Sequence, residues 1–475
     1  MTEKINIEKY YKRNIDQQLN KWSKNTKEKS IALVSGARRI GKTHSLKFLG
    51  QTQFERYEII DVQQLGDNVV NNLINKDKNI DFFAEYLLSR FGIGESSINE
   101  KLLIIFDEIQ EHNELKESIS RFNSHFKCRF ACTGSALWID DTNGTRPTAD
   151  YKKFFIYPFS FKQFLNILNE GSDLFETEKI VFEKRTSESC NQKLFRLLRL
   201  YIVVGGMPQS IQHYIDNKDN ADVFSSLQEL KRTNIISTYE KDLIRYSKDF
   251  NLNLADLYFD IIRKIGRYRQ IDTLKPSFNK LEEMNLVIVS RNILNINRKL
   301  SLSIDDSVIK PFILDVGVLF YYLCNNDNPL VVQSYCKSFV DGRDNDDNGF
   351  IYENFVASTL VQHGFTPYFK VFDSTNEYNE NKTYELDFLF SGISETIALE
   401  SKSGKDKEHS SLKIGLSKYD KIKSSYILCK SYEFNKKNSR RGPHFIPFYA
   451  LEYLLEEWYG LFDIEWANQK VGYMD

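Results

Sequence analysis

A chain of 475 residues has room for about three domains of ordinary size. Its 64 lysines and arginines nearly balance 65 aspartates and glutamates, for a net charge of −1, and 41% of its residues are hydrophobic against 27% charged. These figures exclude a disordered chain and a uniformly basic nucleic-acid coat, while allowing a local basic face.

Met1-Thr2-Glu3-Lys4 is charged and lacks the apolar stretch of a signal peptide, and no apolar run reaches the ~20 residues of a membrane span. Six cysteines (Cys128, Cys132, Cys190, Cys324, Cys336 and Cys429) are scattered without a Cys-x-x-Cys pair, the usage of a reducing compartment. The expectation is a cytoplasmic protein. Most of the 26 Tyr and 35 Phe are expected in the core.

The first stretch reads as α/β. Ile31–Ser35 is a short apolar strand, followed by a glycine-containing loop and a helix-like segment, His44 to Leu49. Tyr57–Asp61 is a second strand, Val69 to Phe91 carries apolar residues at helical spacing, and Leu102–Phe106 is a third strand. This last run is apolar on both faces, as a buried parallel sheet requires. Cys128–Cys132 is the fourth, and the alternation predicts a doubly wound sheet. Asp140 to Asp150 is a polar loop. The pattern then turns helical from Ser160 to about Tyr246, interrupted at Gly205-Gly206-Met207-Pro208, which reads as a tight turn between helices. Asn251 to Arg298 reads as helices and a β-ribbon that begins with Leu286–Ser290. Asp341 to Asn348 has the composition of a surface linker. Beyond it come a helix (Phe350–His363), strands near Thr366–Phe372, Tyr384–Phe390 and Thr396–Ser401, a helical segment, and a strand at Ser425–Cys429.

Gly36-Ala37-Arg38-Arg39-Ile40-Gly41-Lys42-Thr43 fits G-x-x-x-x-G-K-[ST] at every fixed position, between a buried strand and a helix start. Glycines let the backbone wrap a phosphate chain, with N–H groups and the helix dipole facing the anion. Lys42 is expected to reach the β- and γ-phosphates and the Thr43 hydroxyl to hold Mg²⁺. Leu102–Phe106 ends in Asp107-Glu108, 65 residues after Lys42. An acid at the C-terminal end of a buried strand lies where α/β sheets bind ligands. Asp107 would support the magnesium and Glu108 polarise the attacking water. Thr133-Gly134-Ser135 ends the next strand, so that Thr133 or Ser135 could sense the γ-phosphate. The expected ATP contacts are thus Gly36, Arg38, Arg39, Ile40, Gly41, Lys42, Thr43, His44, Asp107, Thr133 and Ser135.

With these residues in view, the chain resembles the prokaryotic AAA-type P-loop ATPases that carry a widespread C-terminal domain of unknown function. The resemblance rests on Gly36 to Thr43, Asp107-Glu108-Ile109-Gln110, Thr133-Gly134-Ser135, Tyr157-Pro158-Phe159-Ser160-Phe161 and Gly205-Gly206-Met207-Pro208. Ile313-Leu314-Asp315-Val316-Gly317 and Tyr352-Glu353-Asn354-Phe355-Val356 extend it. It implies an α/β architecture in parts: an AAA-like parallel sheet with helices over 1–155, a helical region over 156–248, a winged-helix-like region over 249–340, and a restriction-endonuclease-like α/β domain over 349–475. Lys275 to Arg298 reads as a recognition helix plus wing, with Lys275, Lys280, Arg291 and Arg298 facing phosphates, or alternatively as a dimerisation or interdomain module. Arg146, Arg232 and Arg245 are arginine-finger candidates, for which a homo-oligomer would be needed.

In the C-terminal segment Glu353 lies on a helix, Asp387 on one strand, and Glu400-Ser401-Lys402 on the next. Glu400 and Lys402 share a face because strand side chains alternate with period two. This set resembles the D…(E/D)xK core of restriction-endonuclease-like nucleases, with Leu386 where a proline often precedes the first acid. Glu353, Asp387 and Glu400 would hold Mg²⁺ or Mn²⁺ and Lys402 would orient water or steady charge. The plainer alternative is a cross-strand charge pattern. Lys405, Lys407, Lys413 and Lys418 either meet a phosphate backbone or form a solvated face. Two functional readings follow. One is an ATP-hydrolysing protein that couples nucleotide state to a nuclease-like domain acting on DNA. The other is a nucleotide-switched module that binds DNA or a protein partner through a catalytically inert domain.

Overall fold

The computed structural model describes residues 6, 10–25, 27, 29–135, 150–169, 188–250, 252–324, 328–343, 348–375, 381–391, 395–402, 410–430 and 443–462. Arg146, most of the expected polar loop, Lys405 and Lys407 lie outside these residues. The chain divides into two compact units: Met1–Tyr157 with the short stretch Glu283–Asn285, and Pro158–Glu282 with Leu286–Asp475.

The first unit is built on a parallel sheet of β1 (Ile31–Ser35), β2 (Arg56–Asp61), β3 (Leu102–Asp107), β4 (Arg129–Gly134) and β5 (Tyr151–Phe155), in the order β2-β3-β4-β1-β5. β1 and β4 are buried along their whole length, as strands covered on both faces must be. Phe83, Phe106, Phe122 and Phe130 fill the space between the sheet and the helices Asn79–Phe91 and Leu115–His125, with the Phe83 and Phe122 rings stacked at 4.2 Å. Register then decides what meets at the ligand edge. Phe106 pairs with Cys132, so the next residues, Asp107 and Thr133, lie side by side, while Ser35 pairs with Gly134 beside the glycine loop. β5 was not foreseen. Its run, Tyr-Lys-Lys-Phe-Phe, lacks alternation and joins the sheet through its backbone pairing with β1.

The second unit has a helical part and a large sheet. The helical part brings together segments far apart in sequence. Gly205 has φ +82, and a Cβ there would stand 2.5 Å from Asp315 Oδ1 and 2.9 Å from the Gly317 Cα. Asp315 is fully enclosed; its Oδ2 accepts from Gly206 N at 2.7 Å and its Oδ1 from Val318 N at 2.9 Å. Buried Lys231 donates to Val203 O (2.6 Å) and Gly317 O (2.9 Å) from the start of a π-helical turn, Lys231–Ile236. Phe159 N donates to Gly206 O at 2.8 Å. Asn354, fully buried, clasps Ile313 with both side-chain atoms, Nδ2 to O at 2.9 Å and Oδ1 from N at 2.8 Å. The Gly205–Pro208, Ile313–Gly317 and Tyr352–Val356 segments are therefore one structural knot, of which the tight turn is only a part.

The sheet consists of β6 (Arg269–Gln270), β7 (Val287–Ile293), β8 (Ile304–Ile313), β9 (Tyr368–Thr375), β10 (Asn381–Ser391), β11 (Thr396–Lys402), β12 (Ile422–Cys429) and β13 (His444–Pro447). Its order is β13-β12-β11-β10-β9-β7-β8-β6. β7 pairs in parallel with β9 through Arg291 and Tyr368, so the ribbon before the 341–348 stretch and the strands after it form one sheet. The helix Gly349–Gln362 carries Glu353, and Tyr352 and Phe355 beside it are 1% exposed.

Candidate functional site

Two clusters of candidate side chains emerge. At the end of β1 the chain enters the glycine loop. A Cβ at Gly36 would meet Ile156 O at 2.5 Å, so only glycine fits there without a shift. Gly41, at φ +97, starts the helix Lys42–Gln53 from a left-handed conformation suited to glycine. Lys42 is 4% exposed and its Nζ donates to Gly36 O (3.0 Å) and Ala37 O (3.1 Å), both within the loop. The Thr43 hydroxyl is 2.9 Å from both oxygens of Asp107, and Thr133 Oγ1 also donates to Asp107 Oδ1. Burial pushes the Asp107 carboxyl above its ordinary pKa, while the Thr133 and Thr43 hydroxyls pull it back.

Glu108 takes a left-handed backbone (φ +57) that turns the chain from β3 into the short helix Ile109–His112. Its N–H donates to Thr133 Oγ1 at 3.2 Å, and its Oε2 accepts from Gln110 Nε2. Arg38 Nη2 lies 3.8 Å from both Glu108 and Glu111. Ile40 and Ser135 are buried, while Arg39 and His44 are exposed. Sequence reasoning missed Tyr10, whose ring stacks at 4.0 Å on Phe48 and at 5.9 Å on His44, and whose hydroxyl bonds Asp16 and Ser45. No pattern in the sequence links it to a helix more than thirty residues later. This edge offers an anion cradle, a lysine ammonium, and two hydroxyls converging on one carboxylate. Such a donor set suits a nucleotide phosphate chain with a hard cation.

The second cluster lies on the large sheet. Glu385 and Asp387 share one face of β10, and Glu400 and Lys402 one face of β11. Phe388 pairs with Leu399; continued by one residue, that register sets Asp387 opposite Glu400. Carboxylate oxygens of Glu353, Glu385 and Asp387 come within 4.8 Å of one another, close enough to share a cation. Lys402 Nζ is 2.8 Å from Glu400 Oε1, and Asp387 Oδ2 accepts from Ser401 N at 2.9 Å. Glu400 is 2% exposed and its Oε2 has no hydrogen-bond partner. Burial, with Asp387 alongside, raises the Glu400 carboxyl to about 8; burial likewise raises Glu353 to about 7, against the pull of Lys310.

Lys310 is the participant that sequence reasoning did not assign. It is 2% exposed on β8, and its Nζ bonds Glu353 and, at 2.5 Å, Glu385. Burial disfavours its charge, but the two carboxylates outweigh that and hold its pKa above the ordinary lysine value. The available signal was a lysine inside the apolar run Val308-Ile309-Lys310-Pro311-Phe312-Ile313, since lysine is seldom buried without a partner.

Several of the other expected cations are engaged internally, while Arg298 and Lys413 are exposed. Lys280 is buried over the Tyr246 ring at 4.1 Å, Arg291 pairs with Glu282 at 2.7 Å, and Lys275 pairs with Asp306 at 3.0 Å. Lys418 donates to Asp373 O at 2.7 Å, and Arg232 pairs with Glu229 at 2.8 Å. Arg245 lies over the Tyr246 ring at 5.5 Å. Among the described residues no helix is long and apolar enough to cross a membrane.

Residues 28–165 match the family described as an AAA domain, and residues 348–451 match a domain of unknown function, DUF4143. No curated protein matches the chain. Among solved structures, a Walker-type ATPase of Pyrococcus abyssi is 16% identical, covering 68% of this chain and 98% of its own, with a TM-score of 0.41. The RuvB Holliday junction branch migration motor of Thermotoga maritima is 11% identical (59% and 90% covered, TM-score 0.29). The Aeropyrum pernix Orc1 protein, solved in complex with DNA, is 9% identical (68% and 92%, TM-score 0.24). By its family matches, the chain carries an AAA domain followed by a domain of unknown function.

Proposed function

We propose that this protein binds ATP with Mg²⁺, hydrolyses it, and uses the nucleotide state to govern a nuclease-like C-terminal module that acts on DNA. The observation that carries the first part is the convergence of Thr43, Asp107, Thr133 and Glu108 at the mouth of the glycine loop. The loop N–H groups from Gly36 to Thr43 bind the phosphates, and Lys42 exchanges its loop carbonyls for the β- and γ-phosphate oxygens. Thr43, with Asp107 in support, would hold Mg²⁺, which when bound would supply charge neutralisation on the transferred phosphoryl group. Glu108 orients the attacking water and takes its proton, and Thr133 ties Glu108 to Asp107.

In the C-terminal module Asp387 and Glu400, with Glu353 close by on its helix and paired to Lys310, form the site for Mg²⁺ or Mn²⁺, and Lys402 faces the reacting phosphodiester. The support is the convergence of the Glu353, Glu385 and Asp387 carboxylates, with Glu400 on the neighbouring strand buried and half unpartnered. The test is cleavage of plasmid and linear DNA with Mg²⁺ or Mn²⁺, with and without ATP, by wild type and Asp387→Ala. Cleavage that the variant lacks, and that changes with ATP, is the expected result. One observation favours a second reading, a nucleotide-switched binder of DNA or a protein partner with an inert C-terminal domain: Lys310 already pairs with both Glu353 and Glu385. Absence of cleavage under every condition would select it.

A further inference from the structure

The C-terminal cluster sets four carboxylates, Glu353, Glu385, Asp387 and Glu400, against two ammonium groups, Lys310 and Lys402. The two lysines are used differently. Lys402 stands at the rim with its side chain 34% exposed and touches Glu400 through Oε1. Lys310 is sealed in, anchored by the pairing of its own backbone position with Ser290 and followed by Pro311, and bonds Glu353 and Glu385 together. A tethered ammonium between two carboxylates occupies the place a cation would take there, and it cannot diffuse away.

What remains open is the other half of the cluster. Glu400 Oε2 is buried without a hydrogen-bond partner, and an unpaired buried carboxylate oxygen is costly unless something positive meets it. The β10–β11 register, continued one residue beyond the Phe388–Leu399 pair, sets Asp387 opposite Glu400, and Asp387 Oδ2 accepts from the adjacent Ser401 N at 2.9 Å. With every group ionised the cluster carries two more negative than positive charges, the complement of one divalent cation.

We propose that this cluster takes one divalent cation, Mg²⁺ or Mn²⁺, seated on Asp387 and Glu400, and that Lys310 is a chain-supplied counter-ion which fills the Glu353–Glu385 side and excludes a second. This deepens, and rests on, the reading of the cluster as a cation site. A site with one metal ion and a fixed ammonium polarises a phosphodiester from one side only, so Lys402 rather than a second metal ion has to act on the reacting water.

The test counts bound Mn²⁺ by electron paramagnetic resonance on the full, nucleotide-free chain, with Asp387→Asn as the baseline. Wild type is expected to hold one ion more than Asp387→Asn, and Lys310→Met two more. Because Lys310→Met leaves buried carboxylates unpaired and can fail to fold, Glu385→Gln and Glu400→Gln form a second arm. Glu385→Gln keeps the wild-type ion, and Glu400→Gln weakens it at least tenfold. Two ions in wild type, an unchanged count in Lys310→Met, or loss of the ion in Glu385→Gln would each overturn the proposal. An ion gained by Lys310→Met where wild type equals the baseline would overturn it too, with the cation-site reading left standing. Equal counts in wild type, Asp387→Asn and Lys310→Met would instead overturn the cation-site reading itself.

Discussion

Replacing Gly205 with alanine probes the knot that organises the second unit. At φ +82 a non-glycine residue pays about 1–2 kcal/mol in backbone strain. The added methyl would also stand 2.5 Å from Asp315 Oδ1 and 2.9 Å from the Gly317 Cα, a buried carboxylate and a backbone atom that have nowhere to move. Overpacking of this kind adds about 1–3 kcal/mol, for a total of about 2–5 kcal/mol. Gly342 is the control in the same unit. Its φ is +70, but the nearest atoms, at 2.9 Å, are the guanidinium of Arg199, the far end of a flexible side chain. Gly342→Ala should therefore cost only the strain. Native-state hydrogen exchange read in the helix Glu188–Val204 separates the two. Gly205→Ala should exceed Gly342→Ala by the overpacking cost, about 1–3 kcal/mol, of which about 2 kcal/mol is roughly thirty-fold in the opening equilibrium. Equal protection in the two variants would refute the reasoning, because strain alone would then account for both.

Lys42→Ala removes the ammonium from the glycine loop and should weaken ATP binding by about 2–5 kcal/mol, measured by nucleotide titration, while the circular dichroism spectrum stays that of wild type. Asn354→Ala leaves both backbone groups of Ile313 unpaired in the core and should lower stability by about 2–4 kcal/mol in urea titration. Burial raises the Glu452 carboxyl above its ordinary pKa, against the pull of His363. The folded state therefore holds that proton more tightly than the unfolded chain. The stability it contributes is present in acid and lost as pH rises through the folded pKa. Glu452→Gln, which has no proton to lose, should thus fall less in stability than wild type as pH rises from the ordinary carboxylate range through the raised pKa of the folded state.

What was legible in the sequence was whatever is local. The glycine loop is eight consecutive residues whose chemistry is set by their spacing, and Asp107 closes a run of apolar residues that only a buried strand would carry. The parallel sheet followed from the same runs: the expected strand at 57–61 is observed as Arg56–Asp61, and the one at 128–132 as Arg129–Gly134. What was not legible depends on register and long-range pairing. Tyr10 reaches the nucleotide helix only through tertiary packing, and Lys310 meets Glu385 across 75 residues. The parallel pairing of β7 with β9 runs across a stretch whose composition reads as a linker, so nothing local announces that the two sides share one sheet. Gly205 and Asp315 were each visible as part of a motif, but their contact was not, because a glycine required by a distant side chain has the same letter as one required by its own turn.

The central claim, that the edge formed by Lys42, Thr43, Asp107 and Glu108 hydrolyses ATP, is tested most directly by phosphate release with Mg²⁺ from wild type and Glu108→Gln, with ATP affinity measured alongside. The account predicts turnover by wild type, unchanged affinity in Glu108→Gln, and a fall in its rate of about 10²–10⁴-fold. Equal rates in the two proteins, or no ATP binding by wild type, would contradict it.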